Sequence, residues 1–270
     1  MKNFIAILVL LSLSSCAKKY GDSKAPLPGS LEESVSSTFR SEENVERDEY
    51  QHPLETLQFF GLKPEMSVVE VSPGAGYFTE ILGPYLSREG QLFLAVPRMP
   101  PRPAQVLIEN EQKIQDIMLR NPEVKSHTRL IPFEPIDKRN MIQKDFADVV
   151  LAFNSVHNWV AQNSAKSSFK LFHDILKPGG VLGIVQHRVR DGKRKLPKSG
   201  YMYEQEVIAL AKSVGFKFVG KSEINANPKD KANYPEGVWV LPPTYRLGDK
   251  DRDKYERIGE SDRMTLKFIK

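Results

Sequence analysis

An α/β protein with a doubly wound parallel sheet is what this 270-residue sequence predicts. Strand signals alternate with helix signals from about residue 47 onward. Residues 66–82, MSVVEVSPGAGYFTEIL, run from β-formers through a glycine-rich turn into a helical pattern, and a second junction carries the helical SSFKLFHDI through LKPGG into VLGIVQH at 181–187. Both junctions read as buried strands joined to helices, the repeating unit of such a sheet.

The elements follow in order. Pro53 suits a first helical turn, Leu54, Leu57, Phe60 and Leu62 supply its apolar stripe, and Gly61 with Pro64 ends it. The first strand spans 67–72, where Val68, Val69 and Val71 suit a buried parallel strand, and its helix spans 76–86. QLFLAVP at 91–97 gives the second strand, 104–120 a helix, TRLIPF at 128–133 the third strand and ADVVLAF at 147–153 the fourth. A helix over about 164–176 precedes the fifth strand at 181–187. Residues 203–214 are expected to be helical, FKFVGKSEI at 216–224 a sixth strand and GVWVLPP at 237–243 a seventh. The polar stretch that follows ends in TLKF, which suggests a chain folding back onto the body.

Taken together, VVEVSPGAG and LKPGGVLGIV resemble the class I S-adenosylmethionine-dependent methyltransferases, the first as their cofactor loop and the second as the junction before strand five. The likeness spans roughly residues 48–245. The strings HPLETLQFFGLKPEM, NSVHNW, SEINANPKD, GVWVLPPT and GESDRMTLKF are similar to a group of exported bacterial proteins described only as predicted methyltransferases. The resemblance implies a seven-stranded Rossmann-like sheet whose last strand is antiparallel and lies between strands five and six.

Ligands of such sheets bind beyond the carboxyl ends of the strands, where the strand order reverses. After strand one, the resemblance implies that Glu70, Gly74, Ala75, Gly76 and Tyr77 cradle the amino-acid portion and ribose of S-adenosylmethionine; a turn kept for packing is the alternative. Thr79 stands where a dinucleotide fingerprint would have its third glycine, and Ser72 replaces the first glycine of the methyltransferase pattern. Strand two lacks the usual ribose-binding acid, and Arg98 and Arg102 follow instead; a guanidinium has only donors and suits an anion, unless the loop simply faces solvent. Glu134 and Asp137 after strand three are candidates for adenosine contacts.

NSVHNW follows strand four, where the transferred methyl would point. His157 is a candidate general base near neutral pH, with Asn154 positioning it and Trp159 offering a π face to the sulfonium. The competing reading is a helix start in which Asn154 or Ser155 caps and Trp159 packs into the core. His187 and Arg188 follow strand five across the cleft, and the basic loop that continues through Arg190 to Lys198 would steer an anionic substrate or lipid headgroup, or else be solvated charge. Arg188 and Arg190 are its candidate substrate-binding residues. His52, His127 and His173 carry no metal-ligand spacing, so no metal site is expected.

Lys2 precedes the apolar run FIAILVLLSL, too short to span a bilayer but right for a signal-peptide core. Leu13, Ser14, Ser15 and Cys16 then resemble a bacterial lipoprotein cleavage box, with Cys16 lipidated and the protein held in the cell envelope by its acyl chains. Cys16 is the only cysteine, which excludes an intramolecular disulfide. Cleavage after residue 15 removes one charged side chain, Lys2, and lowers the net charge from +5 to +4; this mild, mixed balance gives no argument for nucleic acid and suits an anionic membrane surface equally well. Residues 16–46 have the composition of a flexible tether, and 47–270 are expected to form one domain with a C-terminal extension.

The functional expectation is methyl transfer to an unidentified small-molecule or lipid acceptor. A non-catalytic envelope protein that keeps the fold to bind a ligand is the alternative, with different chemistry on the same scaffold as a third.

Overall fold

The structure, a computed structural model, describes residues 27–134 and 143–270. Residues 1–26, which include Cys16 and its cleavage box, and 135–142, which include Asp137, lie outside the described residues. The chain runs α1 (Leu31–Val35), α2 (Glu42–Val45), α3 (Asp48–Gln51), α4 (Pro53–Phe60), β1 (Ser67–Val71), α5 (Thr79–Leu86), β2 (Gln91–Val96), α6 (Gln105–Leu119), α7 (Pro122–His127) and β3 (Thr128–Pro132). It continues through β4 (Ala147–Phe153), α8 (Val156–Ala161), α9 (Ala165–Ile175), β5 (Leu176–His187), α10 (Glu204–Lys212), β6 (Lys217–Ser222), a 3-10 turn (Gly237–Val240), α11 (Arg252–Ile258) and β7 (Arg263–Ile269).

The seven strands form one sheet in the order β3-β2-β1-β4-β5-β7-β6. β1 to β5 pair in parallel, and β7 is antiparallel to both β5 and β6. The seven-stranded, doubly wound expectation holds, including an antiparallel last strand between five and six. Its location does not: GVWVLPP at 237–243 forms the 3-10 turn and a bend, and the seventh strand is RMTLKFI. Pro242 and Pro243 have no N–H to donate to a ladder, so that segment pairs poorly in a central position.

Alternation along the strands sends side chains to two cores. Val69, Val71 and Ile184 join Trp159, Phe169, Phe172 and Val207 from α8, α9 and α10 on one face. Val68, Leu92 and Leu151 join Leu57, Ile81, Ile114 and Ile117 from α4, α5 and α6 on the other. A third cluster, with Val189, Tyr201, Tyr234, Val240 and Tyr255, gathers the C-terminal extension over the carboxyl end of β5.

Residues 31–46, whose composition suggested a tether, form two short helices, α1 and α2, joined by turns and docked on the body. Leu31 is buried in the second core. Arg40, 5% exposed, ion-pairs with Asp48 at 2.6 Å, and Glu80 of α5 accepts from Ser41 N–H (3.0 Å) and Asn44 Nδ2 (2.8 Å). Polar pairing brings this segment to the body where apolar periodicity is absent.

Candidate functional site

The loops after β1, β4 and β5 meet at one end of the sheet. Leaving β1, Ser72 takes φ +53°, the left-handed conformation a glycine would adopt without strain. Gly74 follows at φ +57° with an exposed surface, and a Cβ built there would meet nothing within 4 Å. Gly76 differs: it is buried, φ is +86°, and a Cβ would lie 2.4 Å from Ile117 Cδ1. Gly74 and the half-buried Ala75 are therefore the open part of the turn, while Gly76 lets α6 pack down on it.

Glu70 lies beneath the turn. It is 2% exposed and accepts a hydrogen bond from Thr79 Oγ1 at 2.7 Å, and burial pushes its carboxyl up to about 8 against the opposing effect of that bond. Such an acid is neutral at pH 7 and ties β1 to α5. Tyr77 is also buried; its hydroxyl donates to Asp48, and the guanidinium groups of Arg40 and Arg47 lie 5.4 and 5.0 Å from its ring centroid. The N-terminal segment thus covers the tyrosine that the turn was expected to present to a ligand. At the edge of the sheet, Arg98 pairs with Glu134 at 2.5 Å, linking the chain after β2 to that after β3.

Beyond β4 and β5 a cavity of about 210 Å³ is lined by Asn154, His157 and His187. Asn154 turns the chain from β4 into α8 at φ +51°, its N–H bonded to Val185 O at 2.7 Å. Its Oδ1 is buried and has no hydrogen-bond partner among the described residues. His157 Nδ1 lies 3.1 Å from Gln186 Nε2, and burial holds this imidazole below its usual pKa. His187 Nδ1 is 2.6 Å from Ser261 Oγ; burial, with His157 and Arg263 nearby, holds it well below the usual value. Both rings are neutral at pH 7, their centroids 5.6 Å apart.

Sequence reasoning missed the rest of the wall. Trp239, from the 3-10 turn, stands edge-on to His157 at 6.0 Å. β7 runs antiparallel with Arg263 opposite His187, so Glu260, Ser261 and Arg263 reach the cavity from the strand's beginning. Glu260 accepts from Arg47 Nε at 2.7 Å, from Arg263 Nη1 at 2.7 Å and from Gln51 Nε2. Burial pushes Glu260 up, but Arg263 and Arg47 outweigh it and hold the carboxylate below its ordinary range. Arg47 faces the cavity and also lies over Tyr77, joining the cavity to the glycine turn. The one available signal was the charged string GESDR directly before an apolar strand.

Three expected site residues point elsewhere. Trp159 is 4% exposed and packs against Phe133, Phe169 and Phe172, because two helical residues turn it roughly 200° from His157. Arg188 follows His187 in an extended chain, and successive side chains take opposite sides. It is buried against Asp262 (2.9 Å) and Glu223 (2.7 Å), and Arg190 also pairs with Asp262 (2.9 Å). Neither arginine lines the cavity.

No family model matches this chain, and no curated protein does. Solved structures are similar to it. A SAM-dependent methyltransferase from Aquifex aeolicus has a TM-score of 0.54 at 15% identity, covering 83% of this chain and 92% of that one. The [4+2]-cyclase SpnF has 0.53 at 13% identity, covering 82% and 80%. A 1,6-didemethyltoxoflavin-N1-methyltransferase from Burkholderia thailandensis, solved with S-adenosylhomocysteine, has 0.50 at 13% identity, covering 82% and 76%. The chain has their fold. At such identities the likeness extends to architecture alone, and a cyclase among the neighbours illustrates that this architecture does not dictate one reaction.

Proposed function

We propose that the protein transfers a methyl group from S-adenosylmethionine to a small acceptor seated in the cavity between α8, β5 and β7. The observation that carries this reading is the position of the cavity: it lies at the carboxyl ends of β4 and β5, joined through Arg47 to the glycine turn after β1, in a sheet of methyltransferase topology.

The residues present fit the cofactor in a modified form. Gly74 and Ala75 supply an open turn for its amino-acid portion, since no neighbouring atom crowds the Gly74 tip. The ribose hydroxyls need an acceptor; Arg98 cannot be one, but the Glu134 carboxylate that it holds can, which moves the acid from the second strand to the third. When bound, the cofactor supplies an electrophilic methyl group on a sulfonium. Asn154 and His157 would orient the acceptor from the α8 side, and His187 and Ser261 from the β5 and β7 side, so their contribution is positioning in a small, partly enclosed space.

The envelope location belongs to the same proposal, supported by Lys2, the apolar run and Leu13 to Cys16. The closed environment of Tyr77 supports the alternative of a non-catalytic ligand-binding protein. Calorimetry on the mature protein separates the two. Binding of both S-adenosylmethionine and S-adenosylhomocysteine, each weakened by Gly74→Val, supports the transferase; binding of neither leaves the ligand-binding protein.

A further inference from the structure

We infer that the cavity is a carboxylate site and that His157 serves it as a hydrogen-bond donor through Nε2–H, with Gln186 fixing that tautomer. This deepens the acceptor side of the function proposed above, and it rests on that reading only in calling the bound carboxylate part of a methyl acceptor.

The tautomer follows from the partners of Gln186. Its side chain is fully buried, and its Oε1 accepts the Val156 N–H at 3.0 Å while its Nε2 donates to Gly200 O at 3.0 Å. Turning the amide over would set two donors face to face at Val156 and two acceptors face to face at Gly200, so the orientation is fixed from both sides. The remaining N–H of Nε2 has two acceptors in reach, His157 Nδ1 at 3.1 Å and His187 O at 3.5 Å; the latter already accepts from Met202 N–H at 2.9 Å, so the bond goes to the nearer Nδ1, which lies 3.5 Å from Oε1. A nitrogen that accepts a hydrogen bond carries its lone pair there. In the neutral ring the proton is therefore on Nε2, the nitrogen that Gln186 leaves to the cavity. The general-base role expected of His157 requires the opposite tautomer.

The rest of the wall agrees in sign. Its ionised groups are Arg47 and Arg263 against Glu260, a net excess of one positive charge, and His157 and His187 are neutral. Arg47 keeps a quarter of its side chain exposed, and the buried Arg263 Nε has no partner among the described residues. Donors in excess beside an apolar wall of Val238, Trp239 and Pro242 suit an anion carried on a small ring or short chain. The volume of about 210 Å³ is below the roughly 300–1,000 Å³ usual for small-molecule sites, which limits the ligand to this size.

Two measurements on the mature protein without cofactor test the inference. Long-range ¹H–¹⁵N correlation spectra at pH 7 are expected to show His157 as the Nε2–H tautomer; an Nδ1–H ring would overturn the assignment. That measurement uses the native protein and does not depend on a variant folding. Calorimetry with benzoate is expected to show binding that weakens about tenfold or more in Arg47→Gln, which removes a charged donor from the wall. Benzamide, equal in shape but neutral, is expected to bind at least tenfold more weakly than benzoate. Equal binding of the two, or no binding of benzoate, would overturn the carboxylate site. Benzoate binding without S-adenosylmethionine binding would leave this inference standing and remove the methyl-transfer reading, and the reverse pair of results would do the opposite.

Discussion

Replacing Glu70 by glutamine keeps the shape of the side chain and removes its ability to ionise, so it isolates the energetic consequence of a carboxyl buried under the glycine turn. The group is 2% exposed, it accepts a hydrogen bond from Thr79, and burial pushes its pKa up to about 8 from an ordinary 4.5. The folded state therefore holds a proton that the unfolded state releases between pH 4.5 and 8, and stability must fall as pH rises through that window. The contribution is fully present below pH 4.5 and lost by about pH 8. At roughly 1.36 kcal/mol per unit, the full loss is about 5 kcal/mol, a large part of the roughly 5–15 kcal/mol typical of a domain. Urea unfolding of parent and Glu70→Gln at a series of pH values from 4.5 to 9 gives the difference directly, since every other titrating group is common to both. The two should agree within about 1 kcal/mol at the acid end, where both side chains are neutral. Above pH 8 the variant should be the more stable by several kcal/mol. Parallel curves across the range would show that Glu70 is ionised in the folded protein and would refute the argument.

Three further outcomes are expected. Gly76→Ala should cost about 2–4 kcal/mol, because its Cβ would lie 2.4 Å from Ile117 Cδ1 in a left-handed conformation; Gly74→Ala, with open space, should cost only about 1 kcal/mol in thermal melts while weakening cofactor binding in calorimetry. Arg188→Ala should destabilise by about 3–5 kcal/mol, because it leaves the buried Asp262 with less compensation, and benzoate affinity of the folded fraction should not change. Trp159→Ala should cost about 3–5 kcal/mol in urea unfolding as a core truncation, whereas Trp239→Ala should cost less in stability and lower benzoate affinity.

The sheet was legible because β1, β2, β4 and β5 are dense, near-continuous runs of branched and apolar residues, as strands buried on both faces are, and their carboxyl ends fix where a ligand can sit. Asn154, His157 and His187 could be found that way, each lying within a few residues of a strand end. Trp159 and Arg188 could not, because the side they face depends on local geometry: about 200° of helical rotation separates His157 from Trp159, and one step of extended chain separates His187 from Arg188. The seventh strand was misplaced because GVWV is the denser in β-branched and aromatic residues, three of four against three of seven in RMTLKFI, yet the two prolines that follow it make a bend, and the segment supplies Trp239 to the cavity instead. The N-terminal wall was the least legible part. Arg40 with Asp48, Asn44 with Glu80, and Arg47 with Glu260 hold residues 31–51 in place through charges that composition counts as solvated. Hydropathy registers little of a segment docked in this way, because apart from Leu31 the groups that anchor it are polar and their partners on the body, Glu80 and Glu260, lie 36 residues from Asn44 and 213 from Arg47. The same pairing explains why the cavity depends on that segment: without Arg47, Glu260 would keep Arg263 and Gln51 as partners, but the wall would lose the excess positive charge that suits it to an anion.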